Sequence, residues 1–218
     1  MQNLPVIFAI DRAGLVGSDG ETHQGVFDVA YLSHIPNMTI LAPKNRWEFE
    51  EMMRFAINHN GPIAIRYPRG CVYDGLKEHQ APIVLSKSEV IVKESGIAIF
   101  SVGHMMETAE SVRNALKEKG YACSLINSRF IKPLDKSILQ DMAKEHKLFV
   151  TIEENLISGG YGASVTQYMA EVNPNCRVLV NGIADTYVEH GTIKELRKTI
   201  QLDVDSIVNQ IETEWKRL

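Results

Sequence analysis

The segment LPVIFAIDRAGLVGSDGETHQG, residues 4–25, joins an apolar run to a glycine-rich run and is the most informative part of the sequence for the fold. Its apolar part, residues 4–10, predicts a fully buried strand that no cap or turn precedes. Residues 11–25 are too rich in glycine for a helix interior and suit a backbone that approaches a ligand closely. Because a domain rarely starts at a buried strand, we expect Met1 to mark a cut or a gene boundary inside a larger fold.

Strand and helix patterns alternate along the rest of the chain, which predicts the α/β class, with a mostly parallel sheet and helices on both faces. Residues 71–88 lack sustained periodicity and predict a domain linker. Strands are predicted at 39–42, 63–66, 122–127, 148–152 and 177–180, and a hairpin is predicted from 89–93 and 97–101. Helices are predicted near 26–33, 135–144 and 162–172, and three more helices are predicted to begin near residues 45, 105 and 204.

Composition excludes several classes of function. The net charge is −4 and the basic residues are dispersed, so the basic footprint of a nucleic-acid-binding protein is missing. The apolar stretch 5–10 is far shorter than a membrane span and follows no basic segment, so we expect no membrane partner and a cytoplasmic location. Cys71, Cys123 and Cys176 are odd in number and lack CxxC spacing, so neither a disulfide framework nor a zinc site is expected.

The glycine-rich loop, residues 11–25, concentrates Arg12, Asp19 and His23. A fixed cation, a carboxylate and a group that titrates near neutrality suit a polar, anionic substrate. The alternative is an ordinary surface loop in which Asp19 starts a turn. Arg66 and Arg69 flank a proline at a strand's carboxyl end, where one of them could reach the same anion or pair with surface acids.

Three further groups of residues favour structural roles. The turn at 159–162, GGYG, opens a helix but matches neither dinucleotide-binding nor Walker patterns, which favours tight packing. The carboxylates at 153–154 could do acid/base work, but pairing with a neighbouring subunit is favoured. His104, His146 and His190 stand alone, without the spacing of metal ligands, and are interpreted as structural.

The segment DRAGLVGSDGETHQGVFD, residues 11–28, closely resembles the 1-deoxy-D-xylulose-5-phosphate synthase branch of the transketolase family. IPNMTILAP at 35–43 and RYPRG at 66–70 extend the resemblance in order, and EEN, GGYG and HGT carry it to residue 192. The resemblance implies a partial pyrimidine-binding transketolase domain, residues 1–78, followed by a complete transketolase C-terminal domain, residues 79–218.

The same resemblance implies a reaction and its residues. The branch joins pyruvate to D-glyceraldehyde 3-phosphate with loss of carbon dioxide, using thiamine diphosphate and Mg²⁺, and supplies isoprenoid and thiamine precursors. Arg12 and Arg69 would bind the aldehyde's phosphate. His23 and Asp19 would be catalytic: His23 would stabilise or protonate oxygens, and Asp19 would bond hydroxyl or carboxyl groups of the reactants.

The resemblance also implies what lies outside these residues. The family's cofactor-activating glutamate, its aminopyrimidine-stacking aromatic residue and its GDG-to-Asn magnesium motif would all precede Met1, so no cofactor or metal ligand is assigned here. We therefore expect that the chain alone turns over no substrate and that the whole protein is a homodimer. Two alternatives remain: a subunit of a split transketolase-like or 2-oxo acid dehydrogenase-like heteromer, and a non-catalytic module that binds phosphorylated metabolites or a partner subunit.

Overall fold

A computed structural model describes residues 2–70 and 72–218. Met1 and Cys71 lie outside the described residues, and so do the predictions made for them. The described chain is built on two β-sheets with seven α-helices, α1 to α7. The helices are α1 (Asp28–Ser33), α2 (Arg46–Ile57), α3 (Met106–Glu118), α4 (Lys136–Met142), α5 (Tyr161–Val172), α6 (Ile193–Thr199) and α7 (Val204–Trp215).

The first sheet has four strands in the order β1-β3-β2-β7. Both β1 and β2 run parallel to β3, whereas β7 runs antiparallel to β2. The carboxyl ends of β1 and β3 therefore meet at one edge, with Ile10 opposite Arg66. The strands are β1 (Ile7–Ile10), β2 (Thr39–Leu41), β3 (Ile63–Arg66) and β7 (Phe130–Lys132).

The second sheet has five strands in the order β4-β6-β5-β8-β9, all parallel except β4. Alternate side chains of a strand point to opposite faces. Ile97 and Ile99 accordingly pack in one core cluster with α3 and α7, whereas Ala98 and Phe100 pack in another with α4 and α5. The predicted class, a mostly parallel α/β fold with helices on both faces, is confirmed. The strands are β4 (Glu89–Val92), β5 (Gly96–Ser101), β6 (Cys123–Asn127), β8 (His146–Leu156) and β9 (Arg177–Ile183).

Two strand predictions are wrong. Residues 4–10 were expected to be fully buried, but Leu4 is 54% and Phe8 is 42% exposed, because β1 is the outer strand of its described sheet. The hairpin of 89–93 with 97–101 does not form. Instead β6 lies between β4 and β5 and pairs with both, antiparallel to β4 and parallel to β5.

The predicted linker contains no helix or strand over its described residues, 72–88. β7 joins the first sheet although it lies well beyond residue 79 in the sequence. The division at residues 78 and 79 stays a prediction. Among the described residues, no helix has the length and apolar character needed to cross a bilayer.

Candidate functional site

The glycine-rich loop follows β1 and lies against the segment that follows β3. The Ala13 N–H donates to the Tyr67 carbonyl at 2.9 Å, which ties the two strand ends together. Gly14 and Gly25 exchange two backbone hydrogen bonds of 2.8 Å and close the loop at its base. A Cβ on Gly25 would lie 1.9 Å from the Arg12 carbonyl oxygen, so this close approach requires glycine.

The four predicted site residues all lie on these two segments. Asp19 and Arg69 form an ion pair across the gap between them, with side chains 24% and 50% exposed. Arg12 adopts a left-handed φ of 61° and its Nη1 pairs with Asp11 at 2.7 Å. His23 is exposed, and its Nδ1 lies 2.9 Å from the Thr22 hydroxyl. The structure thus brings Asp19 to Arg69 and leaves Arg12 and His23 with neighbours in sequence.

The second arginine of the RYPRG segment has a structural role. Arg66 is buried and donates two hydrogen bonds of 2.9 Å to the Asp28 carboxylate, one from Nε and one from Nη2. Its Nη2 also donates to the Gly25 carbonyl at 2.8 Å. Arg66 therefore fixes the end of the glycine-rich loop, and Arg69 is the arginine of this segment with an exposed guanidinium.

A buried carboxylate, Glu154 of β8, contacts the loop from the second sheet. It accepts from the Leu15 N–H at 2.8 Å, and it pairs with His104 Nε2 at 2.8 Å and Arg197 Nε at 2.7 Å. Burial raises its pKa, but the electrostatic and hydrogen-bonding contributions of His104 and Arg197 outweigh burial and lower the pKa to about 2. Glu154 is therefore ionised beneath the loop near neutral pH.

The neighbouring carboxylate, Glu153, occupies the start of α5. It accepts from the Tyr161 N–H at 2.9 Å and the Gly162 N–H at 2.7 Å. Burial raises its pKa to about 7, and these hydrogen bonds and the Arg66 charge offset only part of that effect. The expectation that residues 153–154 pair with a neighbouring subunit is wrong, since both carboxylates are satisfied inside the chain.

The GGYG turn is tightly packed, as expected. A Cβ on Gly160 would lie 2.4 Å from the Leu156 carbonyl oxygen, and one on Gly162 would lie 2.4 Å from the Thr151 hydroxyl. The anion at this helix N-terminus is the protein's own Glu153. Tight packing lets the helix start directly over that carboxylate.

The three histidines differ in their surroundings. His146 is buried between the Met142 carbonyl at 2.7 Å and the Ser124 hydroxyl at 2.9 Å, which fits the structural interpretation. His104 is the partner of Glu154 and lies next to Gly14 of the loop. His190 is exposed near Gly20, so the loop has histidines of the second unit on two sides.

Sequence reasoning missed the residues that hold the loop. Gln24 is 6% exposed; its Oε1 accepts from the Val16 N–H at 2.6 Å and its Nε2 donates to the Glu189 carbonyl at 3.1 Å. Glu154 lies 139 positions after Leu15. The position of Gln24 directly after His23 was a usable signal in the sequence, but a contact across 139 positions left none for Glu154.

The charged and polar side chains of the glycine-rich loop suit an anionic ligand. Within residues 2–70 and 72–218, no group of three or more His, Cys, Asp or Glu side chains is placed to hold a metal ion. The loop instead offers Arg12 and Arg69 for an anion, and Asp19 and His23 as polar groups beside it.

Comparisons with known proteins agree with this architecture. Residues 86–207 match the family described as "Transketolase, C-terminal domain", and residues 1–73 match "Transketolase, pyrimidine binding domain". A 1-deoxy-D-xylulose-5-phosphate synthase of Lachnoclostridium phytofermentans is 48% identical over 95% of this chain and 33% of its own length. One from Clostridium tetani is 46% identical over 97% of this chain and 34% of its own length. The chain thus spans about a third of these curated relatives.

Solved structures show the same fold. A structure described as "Split gene transketolase, inactive beta4 tetramer" superposes with a TM-score of 0.88 at 24% identity, covering 97% of this chain and 67% of that one. Transketolase from Campylobacter jejuni superposes with a TM-score of 0.72 at 20% identity, covering 95% of this chain and 31% of that one. The chain belongs to the transketolase family, and it carries the pyrimidine-binding and C-terminal domains of that family.

Proposed function

We propose that this chain is the substrate-facing part of a 1-deoxy-D-xylulose-5-phosphate synthase, which joins pyruvate to D-glyceraldehyde 3-phosphate with release of carbon dioxide. The observation that carries the proposal is the meeting of two loops at the carboxyl ends of β1 and β3, which places Asp19 against Arg69. Open α/β sheets bind ligands at this edge. The identity of 48% to a named synthase supports the choice of reaction.

Arg12 and Arg69 bind the phosphate of the aldehyde substrate in this proposal. Each guanidinium presents several N–H donors in a plane, which matches a phosphate with two parallel hydrogen bonds. Arg69 is half exposed and Arg12 is 42% exposed, so both can turn toward a ligand. The phosphate replaces the Asp19 carboxylate as the partner of Arg69.

Asp19 and His23 face the reacting end of the substrates. Asp19, once released from Arg69, accepts hydrogen bonds from a substrate hydroxyl or a protonated carboxyl group. His23 is exposed and has an imidazole that can donate to an oxygen on which negative charge develops or pass it a proton. Both side chains belong to the segment between Val16 and Gln24, so they move together.

We propose that other residues of the synthase hold thiamine diphosphate and Mg²⁺, and that the chain alone turns over no substrate. A homodimer and a cytoplasmic location belong to the same proposal and rest on the family resemblance. In this proposal, the residues of this chain bind and orient the phosphorylated substrate. His23 holds or transfers a proton.

A chimaera tests the proposal. A single polypeptide would join the first two thirds of the Lachnoclostridium phytofermentans synthase to this chain, and carbon dioxide release from pyruvate would be measured with and without the aldehyde phosphate. We expect release that depends on the aldehyde and is lost in His23→Ala. Arg54→Ala, an exposed arginine of α2 paired with Glu51, is the control and should leave the rate unchanged. Product from this chain alone, or an inactive folded chimaera, would overturn the proposal.

A second candidate is a subunit of a split transketolase-like heteromer. It is favoured by the fold match over 97% of this chain to a structure described as a split gene transketolase. The two candidates differ in what separate chains do. If the two pieces of the chimaera, expressed as separate polypeptides, assemble and reach the rate of the joined protein, the split arrangement is supported. If activity needs the covalent connection, the single-chain synthase is supported.

A further inference from the structure

We infer that Glu154, a residue of the second sheet, is a positioning residue that holds the glycine-rich loop in its substrate-facing conformation. The inference deepens the proposed function and rests on it for what the loop binds. Its core is a contact between distant parts of the chain: the Leu15 N–H of the loop donates to Glu154 Oε2 at 2.8 Å across 139 residues of sequence.

Three elements converge to fix the position of this carboxylate. Glu154 lies near the end of β8, its Oε2 also contacts His104 Nε2 at 2.8 Å, and its Oε1 accepts from Arg197 Nε of α6 at 2.7 Å. The Glu154 side chain is 1% exposed, whereas those of His104 and Arg197 are 15% and 22% exposed. A buried carboxylate with donors on both oxygens has little freedom to move, so it is a fixed acceptor for the loop.

The loop is shaped to meet this acceptor. Gly14 has a φ of +78°, and a Cβ there would lie 2.2 Å from Glu154 Oε2. The next side chain, Leu15, is 2% exposed and packs in the core of the second sheet with Met105 and Leu196. Glycine at 14 and a buried leucine at 15 therefore bring the Leu15 amide onto the carboxylate.

The segment that carries the reacting groups begins directly after this contact. The Val16 N–H donates to Gln24 Oε1 at 2.6 Å, which closes residues 17–23 into a ring at its base. Gln24 in turn donates to the Glu189 carbonyl at 3.1 Å. Asp19 and His23 both lie inside this ring, so a shift of Leu15 relative to Glu154 displaces them together.

Amide hydrogen exchange on the full 218-residue chain tests the inference. In Glu154→Gln one charged acceptor is lost, and we expect the Leu15 and Val16 amides to exchange roughly tenfold to a hundredfold faster, as loss of a charged hydrogen bond implies. The matched control is Glu94→Gln, because Glu94 also accepts from a backbone amide, Cys123 N–H at 2.8 Å, and an arginine, Arg113 at 2.7 Å, away from the loop. It should leave the loop amides unchanged.

Two further variants separate positioning from general destabilisation. Glu154→Asp restores the charge and should recover part of the lost protection. Gly14→Ala keeps the glutamate in the sequence but places a methyl group 2.2 Å from its Oε2, so it should loosen the same two amides. Unchanged exchange at Leu15 in Glu154→Gln, or equal acceleration across β8 and the loop, would overturn the inference.

Substrate binding separates this inference from the proposed function. Titration of the same variants with D-glyceraldehyde 3-phosphate should show weaker binding in Glu154→Gln than in the wild type and the Glu94 control. If the wild type binds no aldehyde phosphate while the loop exchange still responds to Glu154, the proposed function fails and the positioning role stands. If the wild type binds the aldehyde phosphate and the loop amides exchange no faster in Glu154→Gln, the positioning role is ruled out and the proposed function stands.

Discussion

The charged side chains of the loop form ion pairs, and in the proposed function a substrate phosphate opens them. Arg69 pairs with Asp19 and Arg12 pairs with Asp11, and the two arginines are half exposed. Exposed pairs of this kind contribute up to about 1 kcal/mol each, so a phosphate, which binds an arginine through two charged hydrogen bonds, can displace a carboxylate. Asp19 is then both a competitor for Arg69 and a group released by binding.

Asp19→Asn is therefore predicted to bind inorganic phosphate more tightly than the wild type. Removal of the competing carboxylate frees Arg69, and the gain should be up to roughly fivefold, as the strength of an exposed ion pair implies. Calorimetric titration with phosphate measures it, with Asp74→Asn as the control because Asp74 pairs with Arg46 away from the loop. Equal or weaker phosphate binding in Asp19→Asn would show that the Asp19 carboxylate does not compete with phosphate for Arg69.

The two neighbouring carboxylates of β8 respond to pH in opposite directions. Glu154 has a pKa lowered to about 2, so its stabilising contribution is present above its ordinary pKa of 4.5 and is lost as the pH falls toward 2. Glu153 has a pKa raised from 4.5 to about 7. The folded state holds the Glu153 proton more tightly than the unfolded state, so stability falls as the pH rises through this window.

We predict that the free energy of unfolding falls by on the order of 3 kcal/mol between pH 4.5 and 8 through Glu153 alone. Glu153→Gln removes the titrating group, so this variant should show a flatter profile and should gain stability relative to the wild type as the pH rises. Urea unfolding at several pH values measures both. Parallel profiles for the two proteins would mean that Glu153 does not titrate in this range.

The candidate site was predictable from sequence only where its residues are near one another. Arg12, Asp19 and His23 stand on one glycine-rich segment, and Arg69 follows a strand that pairs with the strand before that segment, so strand order alone brings them to one edge. Glu154 reaches the loop through tertiary packing, and Arg197 in turn pairs with Glu154. A single sequence carries no signal for contacts of that kind, and their roles remained hidden.

Among the helices and strands, two positions require glycine for different physical reasons. Gly162 lies in α5, where a Cβ would meet the Thr151 hydroxyl at 2.4 Å and Val180 Cγ1 at 2.5 Å. Gly120 follows α3 with a φ of +87° and open space around its Cα. The first position demands glycine because space is lacking, and the second because of its backbone conformation.

Gly162→Ala is expected to destabilise the chain more than Gly120→Ala. The first change overpacks the contact between α5 and the second sheet, at a cost of about 1–3 kcal/mol, whereas the second costs about 1 kcal/mol for a left-handed alanine. Thermal unfolding of both variants beside the wild type gives the comparison. A larger loss for Gly120→Ala would contradict the packing described at the start of α5.

The elements that sequence reasoning misplaced share a physical cause. A turn signal at residues 94–96 predicted a hairpin, but the parallel partners β6 and β8 flank β5, and pairing with β6 places β4 on its far side. β7 has only three residues and pairs with a strand of the first sheet. Periodicity describes which face of a strand is apolar and says nothing about its neighbour.

At the scale of the whole molecule, a buried charge network joins the two sheets. Lys44 and Glu48, which flank the start of α2, meet Glu89 of β4 and Arg129 next to β7, with N–O distances of 2.6–3.2 Å. The four side chains are 1–5% exposed. Removal of one member leaves a buried charge without its partner, at a cost of about 3–5 kcal/mol. The network and β7 should therefore make the two sheets unfold together.

Two single-tryptophan variants test this coupling. The chain has two tryptophans, Trp47 in α2 and Trp215 in α7, so Trp47→Phe and Trp215→Phe each leave a fluorescent reporter on one unit. In each variant, we expect the urea midpoint measured by tryptophan fluorescence to coincide with the midpoint measured by circular dichroism. Separate transitions for the two reporters would show that the units unfold independently despite the shared network.

We propose that the loop at 11–25, together with Arg69, binds the phosphorylated aldehyde substrate. Amide-resolved NMR titration of this chain with D-glyceraldehyde 3-phosphate tests it most directly, with Arg54→Ala as the matched control for the double variant Arg12→Ala with Arg69→Ala. We expect saturable chemical-shift changes confined to the amides of residues 11–25 and 66–70 in the wild type and the control, and we expect these changes to be lost in the double variant. Shifts that persist without both arginines, or that map away from this edge of the first sheet, would contradict it.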